Sequence, residues 1–588
     1  MPFLLNKRSV LLSVIFFVFY MLCVVCLRTL TTEHLALSED WGYIATIGVL
    51  FVTTAHLWHF NKKIFWLFLC YIAFYTTAAL TKRWGNMILS EREIAHTFCL
   101  ASFLFSTVLI IYRLGFCLKS KILKTTSVTL CLLSLLAPSV MIAYFALNKA
   151  VFSSDILLTL FQTNMAETMA YLRDQNMLFW GLALLLILCF SSALIYFLTT
   201  FNIQQKCPII SLIFSLFLLF YIAFDTLPKV NVNFVSNISH NTYETLKNFT
   251  LYSQSRENRL QQIEALKNTV SSKFDKGIFA LIIGESETRN HMSAYGYPKQ
   301  TTPWLEEIKN NDNVILFDNA YSNHTHTVPT LTYALSSQNQ YNNQDLNQAL
   351  SVLEVAKAAG FEVYWISNQP KESVFLTPLS VISSTADHQV WLNSAIGNKL
   401  STEYYDEKII EVLEHIKLNP KSLIIIHLMG SHGAYRDRYP AQFQKFTDGT
   451  KLVNTYDNSI LYTDFVLKGI TQALMKNKNF QALVYFSDHG DDPDNKLGHE
   501  SSRFTYEMSR IPLFLIASND FASTSDFINL NNNKHAVFTN DLIYEMMLDL
   551  MQISFEKINP SYSILRENYI LNRDNALTLH GQKRLKDE

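Results

Sequence analysis

Seven stretches long and apolar enough to cross a bilayer lie between Ser9 and Leu227, and nothing comparable comes after them in this 588-residue chain. A span needs about 20 mostly apolar residues to cross as a helix, because lipid offers an open backbone no hydrogen-bond partner. The stretches are Ser9 to Leu27, Tyr43 to Phe60, Ile64 to Thr81, Ile94 to Tyr112, Ser127 to Leu147, Met177 to Thr199 and Pro208 to Leu227. Lys7 and Arg8 ahead of the first would suit a signal peptide, but its length, its lack of a small-x-small cleavage site and the spans behind it read as an anchor. The expectation is an N-terminal α-helical transmembrane bundle over residues 1–228. The chain beyond that bundle must fold outside the lipid.

Orientation comes from the basic residues, because loops rich in Lys and Arg stay in the cytoplasm. Lys7 and Arg8, Lys62 and Lys63, Arg113 with Lys119, Lys121 and Lys124, and Lys206 fall in alternate loops, and acidic groups such as Glu33, Asp40, Glu91, Asp155 and Glu167 dominate most of the others. An odd number of crossings then carries everything after Leu227 to the far side of a bacterial inner membrane, into the periplasm. The long outside loop is 148–176. His56, His59 and His96 fall near span ends, which suits an anchor and lipid platform better than an ion path.

Composition narrows the choice further. With a formal charge of -1, the chain lacks the basic field that would hold a nucleic acid. All eight cysteines lie at or before Cys207, so the soluble part has no disulfides. Residues 229–275 are rich in Asn and Ser and read as a linker, with an amphipathic helix from Arg256 to Val270. From 276 to 588, short apolar runs alternate with helix-like stretches: Phe279 to Ile283, Val314 to Phe317, Glu362 to Ser367, Leu423 to His427, Leu483 to Ser487 and Leu513 to Ile516. That pattern predicts an α/β doubly wound domain whose parallel sheet is covered on both faces.

Chemistry in such sheets gathers just past the carboxyl ends of the strands. There the sequence places Gly284-Glu285, Ser322 to Thr327, Asn368-Gln369, Gly430 to Gly433 and Asp488-His489-Gly490. Glu285, Asp488 and His489 offer two carboxylates and an imidazole, a set suited to Zn²⁺ or Mn²⁺ rather than Mg²⁺ or Ca²⁺. A fourth position could take a hydroxyl from the segment 322–327, which a dication would turn into a nucleophile.

The stretches Ile283-Gly284-Glu285-Ser286-Glu287-Thr288-Arg289-Asn290-His291, Tyr295-Gly296-Tyr297-Pro298, Leu428-Met429-Gly430-Ser431-His432-Gly433, Tyr456 to Asp464 and Ser487-Asp488-His489-Gly490 run through the soluble part in order. Together they resemble the phosphoethanolamine transferases, membrane-anchored members of the alkaline phosphatase and sulfatase superfamily. The resemblance implies a sulfatase-like fold and a catalytic zinc held by Glu285, Thr325, Asp488 and His489. It also implies that Thr325 carries a phosphoryl intermediate, with Ser322 and Thr327 as rival hydroxyls. His432 and His499 match histidines that hold the phosphate or serve the leaving group, and Lys371 matches a lysine near the substrate phosphate. Thr163 and Glu167, four apart in the 148–176 loop, match the family's donor-binding loop.

The implied reaction moves phosphoethanolamine from phosphatidylethanolamine to a cell-envelope acceptor, lipopolysaccharide or another glycan. Two other readings stand beside it: a phosphoglycerol transferase of the same superfamily, and a non-catalytic membrane sensor or transporter. The lipid A-modifying branch has disulfides in its soluble domain and usually five spans, so lipid A is not assigned as the acceptor. The missing cysteine also argues against a sulfatase that oxidises one.

Overall fold

In the computed structural model the described residues are 62–162 and 234–588, apart from 86, 88, 255, 343, 370–377 and 394–403, together with a few positions between 180 and 192. They fall into two compact units, one comprising residues up to Leu158 together with Gln175–Glu244 and the other Thr159–Asp174 together with Thr245–Glu588.

Three long helices dominate the first unit: α1 (Lys62–Trp84), α2 (Glu91–Cys117) and α3 (Lys121–Asn148). Among the described residues, His96–Phe116 and Lys121–Asn148 are long and apolar enough to cross a membrane. The expected spans Ser9 to Leu27, Tyr43 to Phe60 and Pro208 to Leu227 lie outside the described residues, and Met177 to Thr199 lies largely so. A capping box starts α2, in which Ser90 accepts from the Glu93 amide at 3.2 Å and the Glu93 carboxylate accepts from the Ser90 amide at 3.1 Å. Pro138 sits inside α3 and has no N–H to give the carbonyl one turn earlier. That carbonyl belongs to Ser134, and the Tyr75 hydroxyl of α1 donates to it at 2.6 Å. The proline's missing bond is thus made good by a neighbouring helix, the arrangement an apolar medium requires.

The second unit is built on a seven-stranded sheet: β1 (Gly277–Gly284), β2 (Val314–Phe317), β3 (Glu362–Ser367), β4 (His388–Trp391), β5 (Lys421–His427), β6 (Phe480–Ser487) and β7 (Leu513–Ala517). Their order is β2-β7-β6-β1-β5-β3-β4. Successive side chains of a strand point to opposite faces. Phe279, Leu281 and Ile283 of β1 accordingly join one core with Trp365, Ile425 and Phe486, while Ile278, Ala280 and Ile282 join another with Ile424, Leu483 and Tyr485. Helices α7 (Val352–Ala358) and α10 (Ile543–Leu550) cover the first face, and α8 (Lys408–His415) and α9 (Lys451–Met475) cover the second.

Two features depart from the expected parallel sheet. β7 pairs antiparallel with both β6 and β2. A parallel return needs a helical crossover, and residues 488–512 contain only short 3-10 turns. β4 is an added edge strand, and its exposed to half-buried His-Gln-Val-Trp gives no apolar run to read.

The segment expected to be a linker is mostly helical, as α4 (Phe234–Gln254) and α5 (Arg256–Leu266). Tyr252, Ile263 and Val270 belong to the buried core of the second unit. Arg259 is 1% exposed, donates to both Glu354 oxygens at 3.0 Å and to the Ala349 carbonyl at 3.1 Å, and stacks 3.9 Å from the Tyr252 ring centre.

Candidate active site

The site grows out of the parallel register. β1 pairs with β6 up to Gly284 opposite Ser487, so the next residue on each strand is a carboxylate, Glu285 and Asp488. The Asp488 amide donates to the Gly284 carbonyl at 3.1 Å, which holds the two chain ends side by side. On the other flank, Gly430 after β5 has φ +50, and a side chain there would place its first carbon 2.9 Å from the Glu285 backbone. Only glycine permits that approach. Ser286 also adopts a left-handed φ of +60, a strain of about 1–3 kcal/mol for a residue with a side chain. Its amide donates to Asp488 Oδ1 at 3.0 Å and its hydroxyl to Glu285 Oε1 at 3.0 Å, so the strain serves to tie the two carboxylates together.

One ligand atom each from Glu285, Asp488 and His489 lies within 4.8 Å of the others. His489 Nδ1 faces the Gly490 carbonyl at 3.1 Å, which assigns the proton to Nδ1 and leaves Nε2 as a lone pair. Nε2 stands 3.5 Å from Glu285 Oε1 and 3.4 Å from Asp488 Oδ2. Asp488 Oδ2 is buried without a hydrogen-bond partner. Burial, and then the neighbouring Asp488 charge, push the Glu285 carboxyl well above the usual carboxylate range. Two buried carboxylates, an aimed imidazole lone pair and an unpartnered oxygen fit a divalent cation. His489, Asp491 and His499 form a second such group, sharing His489.

The hydroxyl that the loop after β2 brings to this cluster is that of Thr327, not of Thr325. Thr327 Oγ1 donates to Glu285 at 3.1 Å (Oε2) and 3.3 Å (Oε1) and lies 3.5 Å from His489 Nε2. Thr325 Oγ1 is buried and has no hydrogen-bond partner. The rival Ser322 is committed elsewhere, donating to the backbone carbonyls of His324 and Asp488. The cause is local: the chain bends through Asn323 and Thr325, is extended at His326 and turns into α6 (Thr327–Ala334), so Thr327 opens the helix facing the carboxylates. Pro329, in the first turn, was the sequence signal for that helix start.

The remaining histidines gather around the group. His499 Nδ1 meets Asp491 Oδ1 at 2.7 Å, and its ring centre lies 4.5 Å from that of His489. Burial pulls the His499 imidazolium down, but the Asp491 charge and hydrogen bond outweigh it and raise the value. His432, on the loop behind β5, is pushed down to about 3 by burial, then by Arg438 and His499, and its Nδ1 is unpartnered. The surroundings thus favour the charged form of His499 and the neutral form of His432. His326, its Nε2 buried without a partner and its ring 5.3 Å from His499, was not singled out as a site residue from sequence, nor was Asp491. Lys371, Thr163 and Glu167 lie outside the described residues.

The family model described as Sulfatase matches residues 278–553. The phosphoethanolamine transferase EptC of Escherichia coli K12 is 29% identical over 473 residues, which cover 73% of this chain and 80% of that protein. The chain is a relative of the phosphoethanolamine transferases, built on a sulfatase-family domain. Among solved structures, the C-terminal periplasmic domain of EptC from Escherichia coli, in complex with Zn, aligns with 53% of this chain and 93% of its own at 28% identity and a TM-score of 0.49. The integral membrane lipooligosaccharide phosphoethanolamine transferase A of Neisseria meningitidis covers 86% of this chain and 98% of its own at 19% identity and a TM-score of 0.56, a likeness of fold.

Proposed function

We propose that this phosphoethanolamine transferase takes its headgroup from phosphatidylethanolamine and passes it to a hydroxyl of a cell-envelope glycan or lipopolysaccharide through a covalent intermediate on Thr327. The observation that carries the assignment of Thr327 is its hydroxyl 3.1 Å from Glu285, inside the carboxylate and imidazole group. Glu285, Asp488 and His489 would hold a transition-metal ion, zinc or manganese, which when bound makes a nearby hydroxyl more acidic and offsets charge on a phosphate.

The other steps fall to the chain's own side chains. Glu285 orients the Thr327 hydroxyl and accepts its proton, and the Thr327 oxygen forms a bond to phosphorus in line with the leaving oxygen. The phosphorus bond to diacylglycerol breaks. Protonated His499, steadied by Asp491, supplies the proton that diacylglycerol takes away. In the second half-reaction the acceptor hydroxyl gives its proton to His499 and forms its own bond to phosphorus, the phosphorus bond to Thr327 breaks, and the Thr327 oxygen takes back the proton held on Glu285. Phosphoryl transfer asks a protein mainly for such positioning and charge. A donor that is itself a lipid accounts for a membrane anchor, and the basic loops support a multi-pass inner-membrane protein with this domain in the periplasm.

The test is to reconstitute the full chain in vesicles containing phosphatidylethanolamine labelled in its headgroup. Release of diacylglycerol with label retained on a peptide containing Thr327 is expected. Label on no residue, or turnover only with phosphatidylglycerol, would overturn the reading.

A further inference from the structure

A cavity of about 210 Å³ lies between the segment C-terminal to α6 and the helix α10, on a part of the unit that headgroup transfer does not use. Its wall includes Asn339, Tyr341, Gln344, Glu545, Lys557 and Tyr562. Glu545 is 5% exposed, and its Oε1 accepts from Asn339 Nδ2 at 3.3 Å while its Oε2 is buried with no partner. The Tyr544 hydroxyl on the same wall is likewise buried and unpartnered. An unsatisfied buried polar atom costs about 1–3 kcal/mol, so two on one cavity wall call for a ligand that can hydrogen-bond.

The chemistry of the wall selects which ligand. Burial pushes the Glu545 carboxyl up to about 8, so at neutral pH it is uncharged and both donates and accepts. A cation would meet that neutral acid and the like charge of Lys557. An anion would meet Lys557 alone. Side-chain amides and phenols, which donate and accept without charge, instead match a neutral molecule bearing many hydroxyls. Tyr341 and Tyr562 stack at 5.3 Å with 21° between their planes and are only partly buried, which offers a flat aromatic surface. The C–H face of a sugar ring packs on such a surface through the negative face of the ring.

We propose that this cavity is a saccharide-binding subsite. It lies beyond the far end of the helix that Thr327 opens, and eight residues of helix span about 12 Å. A glycan held there has a neighbouring sugar within reach of the reacting hydroxyl, which rests on the reading of the acceptor as a glycan.

The experiment uses the full chain in detergent and two probes, the core oligosaccharide released from lipopolysaccharide by mild acid and a linear glucan of equal length. Saturation-transfer NMR should show contact with at least one probe, and the probe that binds names the source of the sugar. Tyr562→Ala and Gln344→Ala should each weaken binding by about tenfold or more, while diacylglycerol release from phosphatidylethanolamine stays unchanged. Binding of neither probe, or equal affinity in both variants and the wild type, overturns the subsite. Normal sugar binding, lost in the variants, by a wild-type protein that releases no diacylglycerol would instead sink the transfer reaction and leave the subsite standing.

Discussion

Thr325 and Thr327 are two residues apart in one loop, and their surroundings give opposite predictions. Thr327→Val removes the hydroxyl that touches Glu285 and should lower headgroup transfer by at least about a thousandfold, with loss of the labelled peptide. Thr325→Val replaces a hydroxyl that has no partner by a methyl of the same shape, and turnover should stay within about threefold of wild type. Steady-state rates with both proteins check the pair, and the reverse ranking would return the role to Thr325. A second prediction concerns pH. Asp491 keeps the His499 value raised, so the protonated acid persists below that value and is lost as pH climbs through it. Asp491→Asn should therefore move the alkaline limb of the rate profile to lower pH. An alkaline limb that did not move would separate His499 from the proton transfer.

At the scale of single elements, α5 is tied to the catalytic unit by a buried ion pair beside the core residue Ile263. Glu354, which accepts from Arg259, is also the third residue of α7, where its Oε2 accepts from the Ser351 amide at 2.6 Å in a capping box. One carboxylate therefore starts α7 and fastens α5 at once. Arg259→Met leaves that carboxylate buried without its cation and should destabilise the unit by about 3–5 kcal/mol, read from chemical denaturation of the unit. Arg259→Met with Glu354→Gln should recover part of the loss, because the second change removes the stranded charge. A double variant no more stable than the single would show that packing on Tyr252, not charge, holds the helix.

For the molecule as a whole, the same contacts decide where a soluble version can begin. A piece starting at Thr245 retains Tyr252, Arg259 and Ile263, whereas one starting at Lys276 exposes the core they cover. The longer piece should melt at a higher temperature by several degrees or more in a thermal scan, since about 3 kcal/mol or more is at stake. Metal removal should act differently. The cation group sits at the strand ends, apart from the apolar layers on either face of the sheet, so chelation should abolish transfer and lower the melting temperature while leaving far-ultraviolet circular dichroism unchanged. Readdition of Zn²⁺ should restore the activity. Chelation that unfolded the unit would place the metal in the fold itself.

Six of the seven strands were legible from their apolar runs, because a strand buried on both faces has no polar alternation to blur it. Glu285, Asp488 and His489 were legible too, since the first two directly follow strands, His489 comes next, and the parallel register alone sets them side by side. Sequence could not orient β7, whose direction depends on a connection with no helix, nor mark β4, an exposed edge with polar residues. It could not choose among hydroxyls two or three residues apart, because the choice turns on where the loop becomes a helix and which side chain that turn points inward. Nor could it attach α5 to the catalytic unit, since Arg259 and Glu354 are 95 positions apart and meet only once the sheet has folded. Strand and motif were local properties of the chain. Which hydroxyl meets Glu285, the strand order and the anchoring of α5 were set by contacts between residues far apart in it.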